Sequence, residues 1–110
     1  MFARVTSMNI KKDRIDKAIE IYYDSVIPAA KNQTGFLGAY LLIDRETGKG
    51  ISITSWKSEG DARANEDNQY YQQQLVKFHP FFSTPPIREG FEVACFKHEG
   101  SQLLEPLSSR

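Results

Sequence analysis

The chain has 110 residues, of which 40% are hydrophobic, 12% aromatic and 25% charged, a composition typical of one globular domain. Fourteen Lys and Arg residues balance fourteen Asp and Glu residues, so the chain lacks the positive excess on which binding to nucleic acids or anionic membranes depends. Its single cysteine, Cys95, excludes an internal disulfide and a cysteine-rich metal site. We therefore expect no nucleic-acid partner, no membrane partner and no metal.

The first residues have neither the basic start nor the apolar segment of a signal peptide. The longest apolar run, residues 39–43, is far shorter than the roughly 20 residues that span a bilayer. These features predict an intracellular, cytoplasmic protein.

The first strand and the first helix are the first two predicted elements. Residues 2–8 contain the β-branched Val5 and Thr6 and predict a strand. The helix opens at Asp13 and places its apolar residues within about 120° of one another, and Pro28 is expected to kink or shorten its last turn. Its apolar positions are Ile15, Ala18, Ile19, Tyr22, Val26, Ala29 and Ala30.

A hairpin and a second helical region follow. Residues 36–43 and 51–56 predict two strands, and residues 44–50 between them have the composition of a hairpin loop. Ser58, with Asp61 three residues later, resembles the capping box that starts a helix.

The second helical region is expected to break near residues 66–68, and its later half has one apolar stripe. Residues 92–97 predict the fourth strand, which completes a single domain over residues 1–97. Residues 98–110 are expected to form a loosely held tail. The stripe consists of Tyr71, Leu75, Phe78 and Phe82, and the prolines that end it are Pro80, Pro85 and Pro86. The order β-α-β-β-α-β predicts an α+β, ferredoxin-like fold with a four-stranded antiparallel sheet.

The second predicted strand, residues 36–43, is apolar on both of its faces. Two helices cover only one face of a four-stranded sheet, so the other face would expose an apolar patch of roughly several hundred Å². Strands that are buried on both faces have this continuous apolar pattern. We therefore expect a homodimer that forms through the sheet faces.

Several segments resemble the antibiotic biosynthesis monooxygenase (ABM) domain family. They are Gly-Phe-Leu-Gly-Ala-Tyr at 35–40, the hairpin at 44–50, Ser-Ile-Thr-Ser-Trp-Lys-Ser-Glu at 52–59 and Phe-Glu-Val at 91–93. The resemblance covers residues 2–97 and implies a dimeric α+β barrel, in which two ferredoxin-like subunits pack sheet against sheet. Similar proteins include cofactor-free oxygenases that act on phenolic polyketides, haem-degrading enzymes and members with no assigned reaction.

The haem-degrading relatives carry an Asn on the first strand, a Trp in the second helix and a His further along the chain. Aligned on residues 56–58, this chain has Asn65 at the Trp position and Leu75 at the His position, and the first-strand position falls at or near Ser7. His79 lies four residues beyond Leu75, so a shifted ligand stays an alternative. We expect that haem is not a substrate and that the protein uses no cofactor.

Oxygenation without a metal or flavin requires a base that deprotonates the substrate, hydrogen-bond donors for the oxyanion and an apolar pocket. His79 is the candidate base, because histidine side chains titrate near neutral pH and its spacing of four residues from Leu75 would let it face the space between helix and sheet. The alternative, which the following Pro80 favours, is a helix-end histidine satisfied by solvent or backbone. His98, in the tail, is expected to be solvated.

The aromatic residues are candidates to line a pocket for a flat aromatic ligand, with ordinary core packing as the alternative for each. Arg4 and Asn65 are candidates to orient an oxyanion, although an inter-subunit salt bridge explains Arg4 equally well. Cys95 is expected to be a small buried residue. The aromatic candidates are Trp56, Tyr22, Tyr40, Tyr70 and Tyr71.

The same element order occurs in the RNA recognition motif, but residues 50–56 lack that motif's aromatic pair and basic residues. We hypothesise a cofactor-independent monooxygenase that oxidises a small aromatic, phenolic or quinol-type substrate with O2. The alternative is a non-enzymatic dimer that binds a small apolar ligand or acts as an interaction module.

Overall fold

A computed structural model describes residues 1–97 of the chain. The predicted tail, with His98, lies outside the described residues. Within residues 1–97, none of the helices has the length and apolar content required to cross a membrane.

A four-stranded antiparallel sheet organises the fold. Its strands are β1 (Phe2–Asn9), β2 (Phe36–Ile43), β3 (Lys49–Trp56) and β4 (Ile87–Glu92), in the spatial order β2-β3-β1-β4. The central strands β1 and β3 pair along their whole length, from Phe2 opposite Trp56 to Asn9 opposite Lys49. This strand order confirms the predicted ferredoxin-like α+β fold.

The helical segments connect β1 to β2 and β3 to β4. They are α1 (Ile15–Ile21), a π-helical segment (Tyr22–Val26), α2 (Ile27–Ala30), α3 (Glu59–Asp67) and α4 (Tyr70–Val76), with short 3-10 turns at Lys12–Arg14 and His79–Phe81.

The π-helical segment takes the place of the kink that Pro28 predicts. The amide of Ile27 donates to the carbonyl of Tyr22, five residues earlier. Because proline lacks an N–H and its ring crowds the carbonyl four residues before it, the widened turn ahead of Pro28 avoids a clash. The helix then continues to Ala30, with Pro28 exposed.

Local hydrogen bonds define the ends of α3 and α4. The Ser58 hydroxyl accepts from the amide of Asp61 at 3.1 Å, as predicted for the start of α3. Gln69 adopts a left-handed conformation with φ of 71°, which divides the two helices one residue beyond the predicted break. The Asn68 side-chain oxygen then accepts from the amide of Tyr70 at 3.0 Å and starts α4.

The fourth strand corrects two predictions. It occupies Ile87–Glu92 rather than residues 92–97, because Glu92 already lies opposite Phe2, the first residue of β1. Beyond that point the amide of Val93 bonds the carbonyl of Met1 at 3.0 Å. Cys95 follows the strand and is exposed, so the expectation of a small buried residue was wrong.

The two faces of the sheet have different neighbours. The helices cover one face, and the main apolar cluster there contains Met8, Ile10, Ile15, Ala18, Tyr22, Val26, Ile27 and Phe78. We call the other side the open sheet face; its apolar residues are Val5, Tyr40, Leu42, Ile51, Ile53, Ile87 and Phe91, which cross-strand pairing places on one side. Tyr40, Leu42, Ile87 and Phe91 are exposed in the single chain.

Candidate functional site

A cavity of about 50 Å³, which opens to solvent, lies between the sheet and the helices. Because side chains alternate along a strand, Arg4, Thr6 and Met8 of β1 all face this cavity. Thr54 and Trp56 of β3 lie beside them. The helical wall is formed by Tyr22, Val26, Tyr70, Tyr71, Leu75 and Phe78, among others.

The cavity has a polar end and an apolar end. The polar end is defined by Arg4, Thr54, Tyr70 and Tyr71, and the apolar end by Met8, Ile10, Val26 and Phe78. The change follows the chain direction: β1 runs from Arg4 through Thr6 to Met8, and the chain runs from Tyr70, at the start of α4, to Phe78, two residues beyond its end. The cavity can therefore hold a ligand whose two ends differ in polarity.

Arg4 is the charged residue of the cavity wall, and it is only 4% exposed. Its Nη1 donates to the Ala62 carbonyl at 3.2 Å, to Asn65 Oδ1 at 2.7 Å and to Glu66 Oε2 at 3.2 Å. Burial lowers the pKa of Arg4 from its ordinary value, and the Glu66 carboxylate acts in the opposite direction; a guanidinium keeps its charge in proteins. All hydrogen bonds of Arg4 within residues 1–97 run from Nη1, which leaves Nη2 and Nε able to donate to a ligand.

Glu66 is shared between two arginines. Its Oε1 accepts from Arg88 Nη1 of β4 at 3.1 Å, while Oε2 pairs with Arg4. Both guanidinium groups also lie over the ring of Tyr71, with Arg4 at 4.4 Å and Arg88 at 5.5 Å from the ring centroid. We call these three residues the Arg4–Glu66–Arg88 cluster. It carries two positive charges and one negative charge.

Three tyrosine hydroxyls reach the cavity region, and two have protein partners. Tyr71 bonds Thr6 Oγ1 at 2.9 Å, and Tyr22 lies 3.0 Å from Ser52 Oγ and donates to the Tyr40 carbonyl at 3.2 Å. The Tyr70 hydroxyl makes no hydrogen bond within residues 1–97. Burial raises the pKa of Tyr70 to about 12.

Burial also raises the pKa values of Tyr22 and Tyr71 above the ordinary value. All three side chains are therefore neutral phenols near pH 7, because the phenol form persists below the pKa. They act as hydrogen-bond donors rather than as bases, and Tyr70 has its donor unused.

Trp56 and Asn65 are the largest fully buried side chains of the described part of the chain. The indole N–H of Trp56 donates to Thr54 Oγ1 at 3.0 Å and is therefore not free to bind a ligand. Asn65 accepts from Arg4 and donates to the Asp61 carbonyl at 3.0 Å. It does not line the cavity, and it holds Arg4 in place.

His79 does not lie where its spacing from Leu75 predicts. Helix α4 ends at Val76, and the amides of Lys77 and Phe78 bond carbonyls only three residues back. This tighter turn rotates His79 away from the face of Leu75. His79 is exposed, outside the cavity lining, and its ring lies 6.1 Å from that of Phe82. The prediction that it faces the space between helix and sheet was wrong.

Tyr40 is also outside the cavity. Its side chain lies on the open sheet face and is 55% exposed, because it pairs with Ile53 rather than with the inward-facing residues of β3. Only its carbonyl contacts a cavity residue, Tyr22. The expectation that Tyr40 lines the same pocket as Trp56 was therefore wrong for a single chain.

Sequence reasoning missed three residues of the site: Thr6, Glu66 and Arg88. Thr6 could have been found, because it follows Arg4 by two residues on a strand and so shares its face. The meeting of Glu66 with Arg88 depends on the register of β4 against β1, where Arg88 lies opposite Thr6. The sequence has no signal for that register.

The part of the cavity wall within residues 1–97 contains no histidine, aspartate, glutamate or lysine. In the same residues, no three His, Cys, Asp or Glu side chains are grouped so that they could hold a metal ion. The wall therefore offers a cation and neutral donors, with no side chain that accepts a proton near neutral pH.

Comparison with known proteins adds a family and a fold. The sequence model described as antibiotic biosynthesis monooxygenase matches residues 1–74. Over 64 residues, the chain is 34% identical to the uncharacterized proteins Rv2557 and MT2634 of two Mycobacterium tuberculosis strains. The match covers 58% of this chain and only 29% of those relatives.

Two solved structures share the fold at low sequence identity. A monooxygenase from the gene ActVA-Orf6 of Streptomyces coelicolor, in complex with nanaomycin D, superposes with a TM-score of 0.70 and 16% identity, over 90% of this chain and 92% of that one. SnoaB, a cofactor-independent oxygenase from Streptomyces nogalater, has a TM-score of 0.70 and 13% identity, over 89% of this chain and 97% of that one.

Proposed function

The chain belongs to the antibiotic biosynthesis monooxygenase family, and from this membership we propose that it is a cofactor-independent monooxygenase acting on a phenolic or quinol-type aromatic substrate. The observation that carries the proposal is Arg4, a buried cation with unused N–H groups in the wall of a largely apolar cavity. Such a group stabilises negative charge on a substrate oxygen far better than it would in water.

The proposed reaction needs no reductant. A phenol and O2 give a quinone and water: the ring C–H para to the hydroxyl becomes C=O with one oxygen atom. The other oxygen atom leaves as water with that ring hydrogen and the hydroxyl hydrogen. The substrate itself supplies the electrons, once it is ionised to a phenolate. This chemistry agrees with the description of SnoaB as a cofactor-independent oxygenase.

Each wall residue has a role in this proposal. The Nη2 and Nε groups of Arg4 and the hydroxyl of Tyr70 donate to the substrate oxyanion. The ring of Trp56 is fully buried, lies 5.3 Å from the Arg4 guanidinium and helps to hold it in place. The apolar end excludes water from the reacting carbon. Asn65 and Glu66 are positioning residues, because they act through Arg4.

The proposal includes a homodimer formed through the open sheet face. Tyr40 and Leu42, which are 55% and 47% exposed in the single chain, would be covered by the partner. An interface of this kind buries on the order of 2,000 Å² or more in total. Burial of this face explains why β2 is apolar on both sides, which no contact within one chain requires.

A second candidate function is a dimer that binds a small aromatic ligand without turnover. It is favoured by the lack of a proton acceptor in the wall within residues 1–97. It would use the same cavity, with Arg4 and Tyr70 as ligand-binding groups.

Oxygen uptake separates the two functions. We expect the protein to consume one O2 per quinone formed from at least one member of a panel of naphthols and naphthalenediols with acidifying acyl or nitro substituents and a free para position, above the uncatalysed rate. Arg4→Lys, which keeps the charge and loses the planar fork, should lower kcat by about 10²- to 10³-fold. Arg63→Lys, on the exposed side of α3, is the matched control and should leave kcat unchanged. Tight binding of panel members without any oxygen uptake would support the non-enzymatic candidate.

A further inference from the structure

We propose that the cavity selects an amphiphilic monoanion: a ligand with one ionised oxygen at the polar end and an apolar extension toward Met8 and Phe78. This inference rests on the proposed function, since it specifies the substrate class of the same cavity. It commits to a substrate that is ionised before or upon binding, namely an acidic phenol or enol.

The charge of the Arg4–Glu66–Arg88 cluster is the first argument. Glu66 bonds both arginines, Arg4 at 3.2 Å and Arg88 at 3.1 Å. One carboxylate cannot neutralise two guanidinium groups, so the cluster retains one positive charge. The Arg88 side chain is 48% exposed and solvated, whereas Arg4 is 4% exposed. The share of the charge on Arg4 therefore lies out of water, where an uncompensated charge is costly. A single anionic oxygen in the cavity would complete the neutralisation.

The unused donors are the second argument. Arg4 is 4% exposed and Tyr70 is 9% exposed, yet within residues 1–97 the Nη2 and Nε groups of Arg4 and the hydroxyl of Tyr70 have no protein acceptor. These donor atoms are not fully enclosed, because the fully buried side-chain polar atom without a partner in the described part of the chain is Gln72 Oε1. They are therefore accessible to a small molecule. An anionic oxygen accepts several such bonds at once, whereas a neutral ether or a hydrocarbon leaves most of them unmade.

The third argument is that the described part of the cavity wall has no side chain that accepts a proton near neutral pH. No wall residue in the described part of the chain removes a proton near pH 7, and burial keeps Tyr70 in its neutral form, with a pKa of about 12. A weakly acidic phenol would therefore enter protonated and find no base. A phenol or enol acidic enough to ionise in water needs none, and the Arg4 charge favours its ionised form further.

The apolar end of the cavity determines the chemistry of the part of the ligand that lies beyond its anionic oxygen. Arg4 and Met8 are four residues apart on β1, a distance of about 13 Å along a strand. The far end is lined by Met8, Ile10 and Phe78, which belong to the main apolar cluster. The ligand therefore extends from its anionic oxygen through an aromatic ring into an apolar group, rather than carrying a second charge.

A matched pair of probes tests the selection of an anion. 4-Nitro-1-naphthol is an anion at neutral pH, and its methyl ether has the same ring without the charge. By isothermal titration calorimetry, the wild-type protein should bind the anion at least about tenfold more tightly. Equal affinity for the two probes, or preference for the ether, would overturn the inference.

A homologous series tests the apolar extension. 4-Alkyl-2,6-dinitrophenols are anions at neutral pH, and their affinity should rise by about three- to fourfold per added methylene until the apolar end is filled. An affinity that is independent of chain length would contradict the orientation proposed here.

Two variants test the named groups, each with a control of the same chemical change. Glu66→Gln removes the negative charge of the Arg4–Glu66–Arg88 cluster. The affinity for the anion should therefore rise several-fold, while the affinity for the ether stays unchanged. The control is Glu59→Gln, at a carboxylate paired with the exposed Arg63. Tyr70→Phe should lower the affinity for the anion by about tenfold. The control is Tyr23→Phe, at a tyrosine outside the cavity. An unchanged preference for the anion in both variants would overturn the assignment of the site.

The inference and the proposed function fail in different ways. If the anion is preferred but no phenol or enol is oxygenated, the oxygenase proposal fails and the ligand class stands. If oxygenation occurs without any preference for an anion, the oxygenase proposal stands and the ligand class fails.

Discussion

The guanidinium of Arg4 lies 4.4 Å from the ring centroid of Tyr71, while the Tyr71 hydroxyl bonds Thr6, two residues further along the same strand as Arg4. The contact joins β1 to α4 across the polar end of the cavity. Because a guanidinium is planar and stacks on an aromatic face, the contact fixes the plane in which Nη2 and Nε donate. The orientation of the Arg4 guanidinium is thus set by an aromatic ring as well as by the acceptors of Nη1.

Asn65→Ala tests whether the acceptors of Arg4 stabilise the fold. Asn65 is 1% exposed and links Arg4 to the Asp61 carbonyl. Its removal leaves buried donors with fewer acceptors, so we expect the free energy of unfolding to fall by about 1–3 kcal/mol. Chemical denaturation measures this change. The control is Asn32→Ala at an exposed position, and a loss no greater than that of the control would show that Asn65 does not hold Arg4.

Tyr70→Phe tests the ionisation of the free hydroxyl. The pKa of Tyr70 is raised from 10.0 to about 12, so the neutral phenol is favoured in the folded state. Its contribution to stability is complete below pH 10 and is lost as the pH rises toward 12. A spectrophotometric titration of the wild type should show a tyrosinate step near pH 12 that is missing in Tyr70→Phe. If the missing step lies near pH 10 instead, Tyr70 is not buried as described.

His79→Ala tests the correction to the predicted base. His79 is exposed and outside the cavity wall, so turnover of any substrate should stay within a few-fold of the wild type. A positioned acid–base group would contribute about 10²- to 10⁴-fold. A loss of that size, with the circular dichroism spectrum unchanged, would restore His79 to the mechanism.

Leu42→Asp tests the homodimer. Gel filtration with light scattering should give twice the chain mass of 12.6 kDa for the wild type at micromolar concentration. A charge on the open sheet face should shift the protein to a monomer, because it cannot be buried unpaired. Val76→Asp, at a residue of α4 that is 60% exposed, is the control and should remain a dimer. A monomeric wild type would leave the open sheet face unexplained.

The sequence predicts the fold well because its signals are local. The period of the first helix, the hairpin at 44–50 and the cap at Ser58 each depend on residues close together in the chain, and all are present in the structure. The fourth strand was misplaced because its bounds depend on where β1 begins, which is a long-range property. The apolar residues at 93–96 indicate a strand only if a partner strand remains to pair with them.

The site was harder to predict for the same physical reason. Arg4 stands out in sequence because a charge next to Val5 on a predicted strand is unusual, and the structure places it in the cavity wall. His79 was misplaced because the spacing from Leu75 assumes a continuous helix, whereas the chain tightens into a 3-10 turn after Val76. The bond from Glu66 to Arg88 joins α3 to β4 and depends on tertiary structure alone.

The fate of molecular oxygen tests the central claim most directly. The purified protein is incubated under 18O2 with a naphthol from the panel that it consumes, and the products are analysed by mass spectrometry. The account predicts one labelled oxygen atom in each quinone, the other in water, and a strongly reduced rate in Arg4→Lys. A quinone without label, or a panel that is bound but never consumes O2, would contradict it.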